Sequence, residues 1–284
     1  MADRRPGRLL VVGTPIGNLE DLAPRAARAL AEADAIFCED TRVTAKLAAR
    51  FHLSAPRISC PAPREGARVP ELLRRLEAGQ TIALASDAGM PALSDPGREL
   101  VAAAAREGFP VLVVPGPSAV ASALAVSGLP AVPHTFLGFL PARSGERRRF
   151  LEAHRDRAET LVWFEAPHRL VESLNDAARI LGPRRAAVAR ELTKLHEETL
   201  RGTLDELALL FQARGAGRGE ITLVVRGAEG AEALRSLSEG GVDAAIREAL
   251  AAGLSKRAVA REVAAKSGRP ANEIYARALE LAQD

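Results

Sequence analysis

Two short runs place groups suited to proton handling where a strand pattern ends. EDTR at 39–42 sets Glu39 and Asp40 side by side, directly behind the apolar run AIFC at 35–38. Neighbouring carboxylates raise one another's pKa, and a raised pKa suits a general acid or base working near neutral pH. The same spacing also suits Asp40 or Thr41 as the cap of a following helix. ARELTK at 189–194 offers Glu191 and Lys194 in the equivalent position. Lys194 stands out because the chain holds only four lysines among its 39 basic residues. A drift toward Arg should erase Lys wherever a plain positive charge suffices. Lys serves as a base when burial or a neighbouring cation lowers its pKa, and otherwise positions a phosphate or a sugar. Arg42 suits a bidentate clamp on phosphate. FEAPHR at 164–169 ends a third such run, with His168 either a proton carrier or a helix-start residue.

Three other strand exits carry Gly- and Pro-rich loops: GTPIGN (13–18), SDAGMPALSDPG (86–97) and PGPSA (115–119). Gly lets backbone approach a ligand closely, while Pro fixes the path and removes donors. Together they predict a stiff crevice with polar handles at Asn18, Asp87 and Ser118. No G-x-G-x-x-G and no G-x-x-x-x-G-K-[ST] occurs, which disfavours a dinucleotide or a nucleoside triphosphate. The crevice suits a compact ligand held by backbone groups and a few side chains.

The elements that position these loops alternate. Strand patterns at 9–13, 35–38, 81–86 and 110–116 are interleaved with helical ones at 24–33, 43–51, 71–79 and 98–107. This βαβ rhythm predicts a parallel sheet covered by helices, with ligands beyond the strands' carboxyl ends. A second α/β unit follows, with strands at 134–141, 160–167, 186–191 and 219–227 and helices at 168–182 and 204–213. Beyond about 230 only helical segments remain, near 242–252, 255–266 and 271–282. The expected organisation is therefore an N-terminal α/β domain over 1–120, a second over 121–229, and a helical tail over 230–284.

The 284 residues suffice for two domains with real cores. No apolar stretch is long enough to span a bilayer and no signal-peptide pattern opens the chain, so a soluble, cytoplasmic protein without a membrane partner is expected. Cys38 and Cys60 are the only cysteines and the five histidines are scattered, so no metal site and no disulfide are expected. A net charge of +3 argues only weakly for a nucleic-acid partner. Local patches argue more. RSGERRR at 143–149 includes Arg147 and Arg148, and reads as a phosphate contact or a solvated helix face. In the tail, apolar stripes at Ala258, Val259 and Val263 and at Ile274, Ala278 and Leu281 suggest two helices around a short turn. Lys256, Arg257, Arg261, Lys266, Arg269 and Arg277 outnumber the carboxylates there, as in a helix-turn-helix module suited to RNA backbone.

TPIGNL (14–19), EDTR, SDAG-x-P (86–91), PGP (115–117), GFLP (138–141), HR (168–169), RELTK (190–194) and the GE at 219–220 occur in one order along the chain. Together they resemble the bacterial ribosomal RNA small-subunit methyltransferases I, a family of the tetrapyrrole methylase superfamily. The resemblance covers nearly the whole chain. It implies two α/β domains with S-adenosylmethionine between them, a homodimer, and 2′-O-methylation of a decoding-centre cytidine in 16S ribosomal RNA within the small subunit. Other members of the superfamily methylate precorrins, uroporphyrinogen or diphthine precursors, so fold alone does not fix the substrate. A tetrapyrrole methyltransferase, or an RNA-binding protein without methyl transfer, is the alternative.

Carried onto this sequence, the resemblance implies donor contacts from Pro15, Asp87, Gly89, Met90, Ser118 and Ala119, completed by Phe164. It departs from the family at Met90, where Thr is usual, and at CPAPR (60–64), where a run with His and Asn is common. Glu39, Asp40, Glu191 and Lys194 are the candidates for withdrawing the proton of an attacking ribose hydroxyl. Arg42, Arg147, Arg148, Lys256, Arg257 and Arg261 are the candidates for RNA contact.

Overall fold

A computed structural model describes residues 7–215, 217, 219–228, 239–267 and 269–282. The chain folds as two compact units. The first is Met1–Ser122 together with Glu191–Glu197, and the second is Ala123–Arg190 together with Glu198–Asp284. The sequence reading places RELTK wholly in the second domain; the fold instead groups residues 191–197 with the first.

The first unit is built on strands β1 (Arg8–Val12), β2 (Ala35–Cys38), β3 (Arg57–Ser59), β4 (Thr81–Ala85) and β5 (Val111–Val114), in the order β3-β2-β4-β1-β5. Every pairing is parallel. Parallel neighbours need crossover connections, supplied here by helices α1 (Pro24–Ala31), α2 (Thr41–Phe51), α3 (Glu65–Glu77) and α4 (Arg98–Arg106). The strands alternate inward on both faces. Leu10, Val12 and Ile36 pack with Ala26 and Leu30 of α1 and Leu47 and Ala48 of α2. Leu9, Phe37 and Leu84 pack with Leu72 and Leu76 of α3 and Leu100 and Ala104 of α4. The chain therefore leaves β1 toward one face and the adjacent β4 toward the other, which makes the gap between their carboxyl ends a topological switch point. Gly97, ahead of α4, has no side chain to cap it. Glu65 on α3 does so instead, accepting the Glu99 and Leu100 amides. Helix α5 (Ala119–Ser127) follows β5.

The second unit carries β6 (His134–Phe139), β7 (Thr160–Glu165), β8 (Arg185–Arg190), β9 (Glu198–Thr203) and β10 (Ile221–Val225), ordered β6-β7-β10-β8-β9. Unlike the first sheet, this one is mixed. Only β6–β7 is parallel, while β7–β10, β10–β8 and β8–β9 are antiparallel. The reason is the connection: residues 191–197 hold no helix, so β8 returns to β9 as an antiparallel partner. Helices α6 (Ser144–Glu152), α7 (Leu170–Leu181) and α8 (Leu204–Arg214) bury Leu151, Leu174, Leu207 and Phe211 with Trp163 and Leu223 of the sheet. In the tail, α9 (Glu239–Ala251), α10 (Lys256–Ser267) and α11 (Ala271–Leu281) close a small core of their own around Ile246, Val259 and Ala278. Among the described residues no helix is long and apolar enough to cross a membrane.

Candidate active site

The loops leaving β1, β4 and β5 converge at the switch point. Thr14 and Gly89 exchange backbone hydrogen bonds, Thr14 N–H to Gly89 O at 2.9 Å and Gly89 N–H to Thr14 O at 3.1 Å. The Thr14 hydroxyl also donates to Ser86 O at 3.1 Å. Gly13 and Gly116 touch backbone to backbone. A Cβ on Gly13 would lie 2.6 Å from the Gly116 Cα and 2.7 Å from the Met90 sulfur. Such closeness excludes any side chain at either position. Gly89 sits at φ +79, a left-handed conformation, where an added Cβ would meet Ile16 Cγ2 at 3.3 Å and the Pro117 carbonyl at 3.5 Å. Pro15 is buried and Met90 half-buried in this cradle. Ser118 accepts the Ala121 amide on its hydroxyl at 3.4 Å and opens α5, and Ala119 is the first residue of that helix. Gly13, Thr14 and Gly116 lie in the loops GTPIGN and PGPSA that the sequence marks as crevice walls; their mutual contact is what the fold adds.

The carboxylates gather at the neighbouring exits of β2 and β4. Asp87 Oδ1 accepts the Asp40 amide at 3.1 Å and so ties the two loops together. Asp40 itself caps α2, accepting the Arg42 amide at 2.8 Å, and forms an ion pair with the Arg42 guanidinium at 2.6 Å. Those hydrogen bonds from Arg42 hold Asp40 down at about 2. Glu39 moves the other way: partial burial pushes its carboxyl up, and the charges of Asp87, Asp95 and Asp40 add to the push. Asp87 is likewise raised by burial, against the opposing hydrogen bond from the Asp40 amide. Among the described residues no group of three or more His, Cys, Asp or Glu is arranged to hold a metal ion.

The segment 191–197 completes the first unit's site. Glu191 and Thr193 adopt left-handed conformations, at φ 48 and φ 66, in which non-glycine residues are uncommon. Lys194 Nζ lies 3.0 Å from Glu191 Oε1. The Asn18 amide donates to the Thr193 hydroxyl at 3.1 Å, which joins the segment to the loop after β1.

The remaining candidates lie in the second unit. Phe164 is half-buried near the end of β7, with its ring edge-on to Phe136 and Phe139 at 4.9 and 5.5 Å. Arg147 is corrected by the fold. Its side chain is fully buried, donates to Asp176 through Nε at 2.8 Å and forms an ion pair with it through Nη2 at 2.6 Å, so it is a core ion pair rather than an RNA contact. Helix period explains this: α6 turns Arg147 inward while Arg148 stays partly exposed, 4.0 Å from Asp176. In the tail, Arg257 and Arg261 are exposed on α10, with Lys256 half-buried before them. The two arginines border a hollow of about 430 Å³ with Asn272 and Tyr275 of α11.

Residues 8–208 match the family model of tetrapyrrole (corrin/porphyrin) methylases. The chain belongs to that family. Within it, this chain is 41% identical to the ribosomal RNA small subunit methyltransferase I of Synechocystis, over 98% of this chain and 99% of that protein. The Thermotoga maritima protein of the same name is 45% identical over 78% of this chain and 100% of its own length. The remainder of this chain, comparable in length to the helical tail, thus has no counterpart there. Among solved structures, a diphthine synthase superposes with a TM-score of 0.62 at 14% identity, covering 78% of this chain and 90% of that one. The uroporphyrin-III-C-methyltransferase of Thermus thermophilus superposes at 0.56 and 22%, covering 77% and 94%. These two likenesses concern the fold alone.

Proposed function

We propose that the protein transfers a methyl group from S-adenosylmethionine to the ribose 2′-hydroxyl of a decoding-centre cytidine in 16S ribosomal RNA. One observation carries the reading. A chain 41% identical end to end to a small-subunit methyltransferase I seats its ELTK segment against the loop after β1. When bound, the donor supplies an activated methyl on a cationic sulfur. The first unit's residues fit such a group: Gly13, Gly89 and Gly116 keep side chains out of the cradle, and Glu39 and Asp87 present negative charge. Pro15, Met90, Ser118 and Ala119 line the same cradle.

On the acceptor side, Lys194 and Glu191 act as a pair. The Lys194 ammonium stabilises charge developing on the ribose oxygen, and the Glu191 carboxylate receives the hydroxyl proton. Asp40 is set aside as a base because Arg42 and the α2 amide occupy it; it caps the helix and orients Arg42 for phosphate. Arg148, Lys256, Arg257 and Arg261 hold RNA backbone. A homodimer is supported by the sheet edge at β5, which exposes Leu112 and Val113 at 47% and 59%.

The test supplies labelled S-adenosylmethionine with small ribosomal subunits, naked 16S RNA or a uroporphyrinogen. Label recovered as 2′-O-methylcytidine from the RNA is expected. Label entering only the porphyrin would overturn the substrate, and the lack of saturable donor binding would overturn the enzyme itself.

A further inference from the structure

Gly17 belongs to none of the roles given so far, yet the aliphatic stem of Lys194 lies directly on it. A Cβ at Gly17 would fall 2.5 Å from Lys194 Cγ, 2.9 Å from Lys194 Cε and 2.9 Å from the Leu192 carbonyl. Gly17 lies outside the left-handed region, so a side chain there is opposed by this neighbour and not by its own backbone. One residue on, the Asn18 amide grips the Thr193 hydroxyl. At the far side, Glu197 Oε2 accepts the Thr193 amide at 2.7 Å. The segment is thus pinned on both sides of a residue whose φ of 66 is unfavourable for a β-branched side chain.

We infer that Gly17 and Thr193 are positioning residues that act through Lys194: the bare Gly17 backbone is the seat for the lysine stem, and the Asn18–Thr193 hydrogen bond fixes the height of that seat. The inference deepens the proposed reaction and rests on the role given there to Lys194. Its physical basis is directional. A lysine has four rotatable stem bonds and loses its aim unless packing restricts them, and a misplacement near 1 Å can cost about 10²-fold in rate. Here the restriction comes from an absent side chain, so any substituent at position 17 displaces the very atoms that lead to Nζ.

The experiment is a double-mutant cycle on the full chain. Gly17→Ala should slow methyl transfer by about tenfold or more, with the dissociation constant for S-adenosylmethionine within about twofold of wild type. In a Lys194→Ala background the same change should cost less than about twofold, because the group it aims is gone. Thr193→Val should behave like Gly17→Ala, and Thr193→Ser, which keeps the hydroxyl, should restore turnover. A second readout is independent of any substrate. Reductive ¹³C-methylation marks the four lysines, 46, 194, 256 and 266. Gly17→Ala should move the Lys194 resonance and leave the other three in place. An unmoved Lys194 resonance, or an undiminished Gly17→Ala penalty without Lys194, would overturn the seat. Failure of wild-type protein to methylate ribosomal RNA would instead sink the proposed reaction, while the resonance still reports on the seat.

Discussion

The two five-stranded sheets end their strands on different electrostatics. At the exits of β2 and β4 in the first unit, Glu39 and Asp87 are carboxylates whose pKa values rise through burial and, for Glu39, through neighbouring carboxylates. In the second unit the comparable groups are paired. Glu165, buried at the end of β7, forms an ion pair with the Arg169 guanidinium at 3.1 Å and accepts the Ala166 amide at 3.0 Å. Glu198 is shared by Arg190 and Arg214, and the bond from Arg214 lowers its pKa. Arg147 is neutralised by Asp176. A folded chain gains by pairing its buried charges, so carboxylates left electrostatically uncomfortable mark a place where a ligand is meant to bring the missing charge. By this argument the second sheet's charges hold structure, and Glu39 and Asp87 of the first are the candidates for meeting a cationic ligand.

The largest effect should come from breaking a pair in the second unit. Arg147→Met leaves Asp176 with only the Ser144 hydroxyl and the more distant Arg148, and should cost about 3 kcal/mol of unfolding free energy. The double variant Arg147→Met with Asp176→Leu should recover most of that loss in urea titrations, since an apolar pair can replace a buried ion pair. Stability unchanged in Arg147→Met, together with weaker binding to small subunits, would return Arg147 to the RNA surface and break the comparison.

A smaller effect, on binding rather than folding, is expected in the first unit. Asp87→Asn keeps an acceptor for the Asp40 amide but removes the charge. Titration calorimetry should show affinity for S-adenosylmethionine falling about tenfold, near 1.4 kcal/mol, with the unfolding midpoint preserved or raised. Equal donor affinity in the two proteins would mean that the corner's negative charge is not there for the ligand.

Much of this was legible in the sequence because it rests on local rules. The first unit's crossover helices announce themselves through apolar periodicity, and the Gly- and Pro-rich exits of β1, β4 and β5 do meet. Elements without a local signal were missed. β3 is three residues with one apolar side chain, β9 (ETLRGT) is a polar edge strand, and α5 (AVASALAVS) is apolar on nearly every face and so lacks an amphipathic period. Arg147 misled because four arginines in seven residues look like one charged surface until helical rotation turns one of them into the core. The grouping of 191–197 with the first unit depends on contacts about 175 residues apart, such as Asn18 with Thr193, which no window along the chain can register.

The smallest effect is the most diagnostic of the contrast between the sheets. Because the pKa of Glu39 is higher in the folded protein than its ordinary value near 4.3, the native state binds this proton more tightly than the unfolded chain does. Its ionisation therefore works against folding. The loss begins as pH rises past the unfolded value and is complete once pH exceeds the raised folded value. Glu39→Gln removes the titration, so the variant should melt slightly above wild type at pH 7, and the difference should vanish as pH falls below 4. Solvent reaches Glu39, which keeps the gain small. Saturating S-adenosylmethionine should close the gap at pH 7, because a bound cation relieves the same repulsion in the wild type alone. A Glu39→Gln protein that melts below wild type at pH 7 would place Glu39 with Glu165, among carboxylates that the fold itself requires.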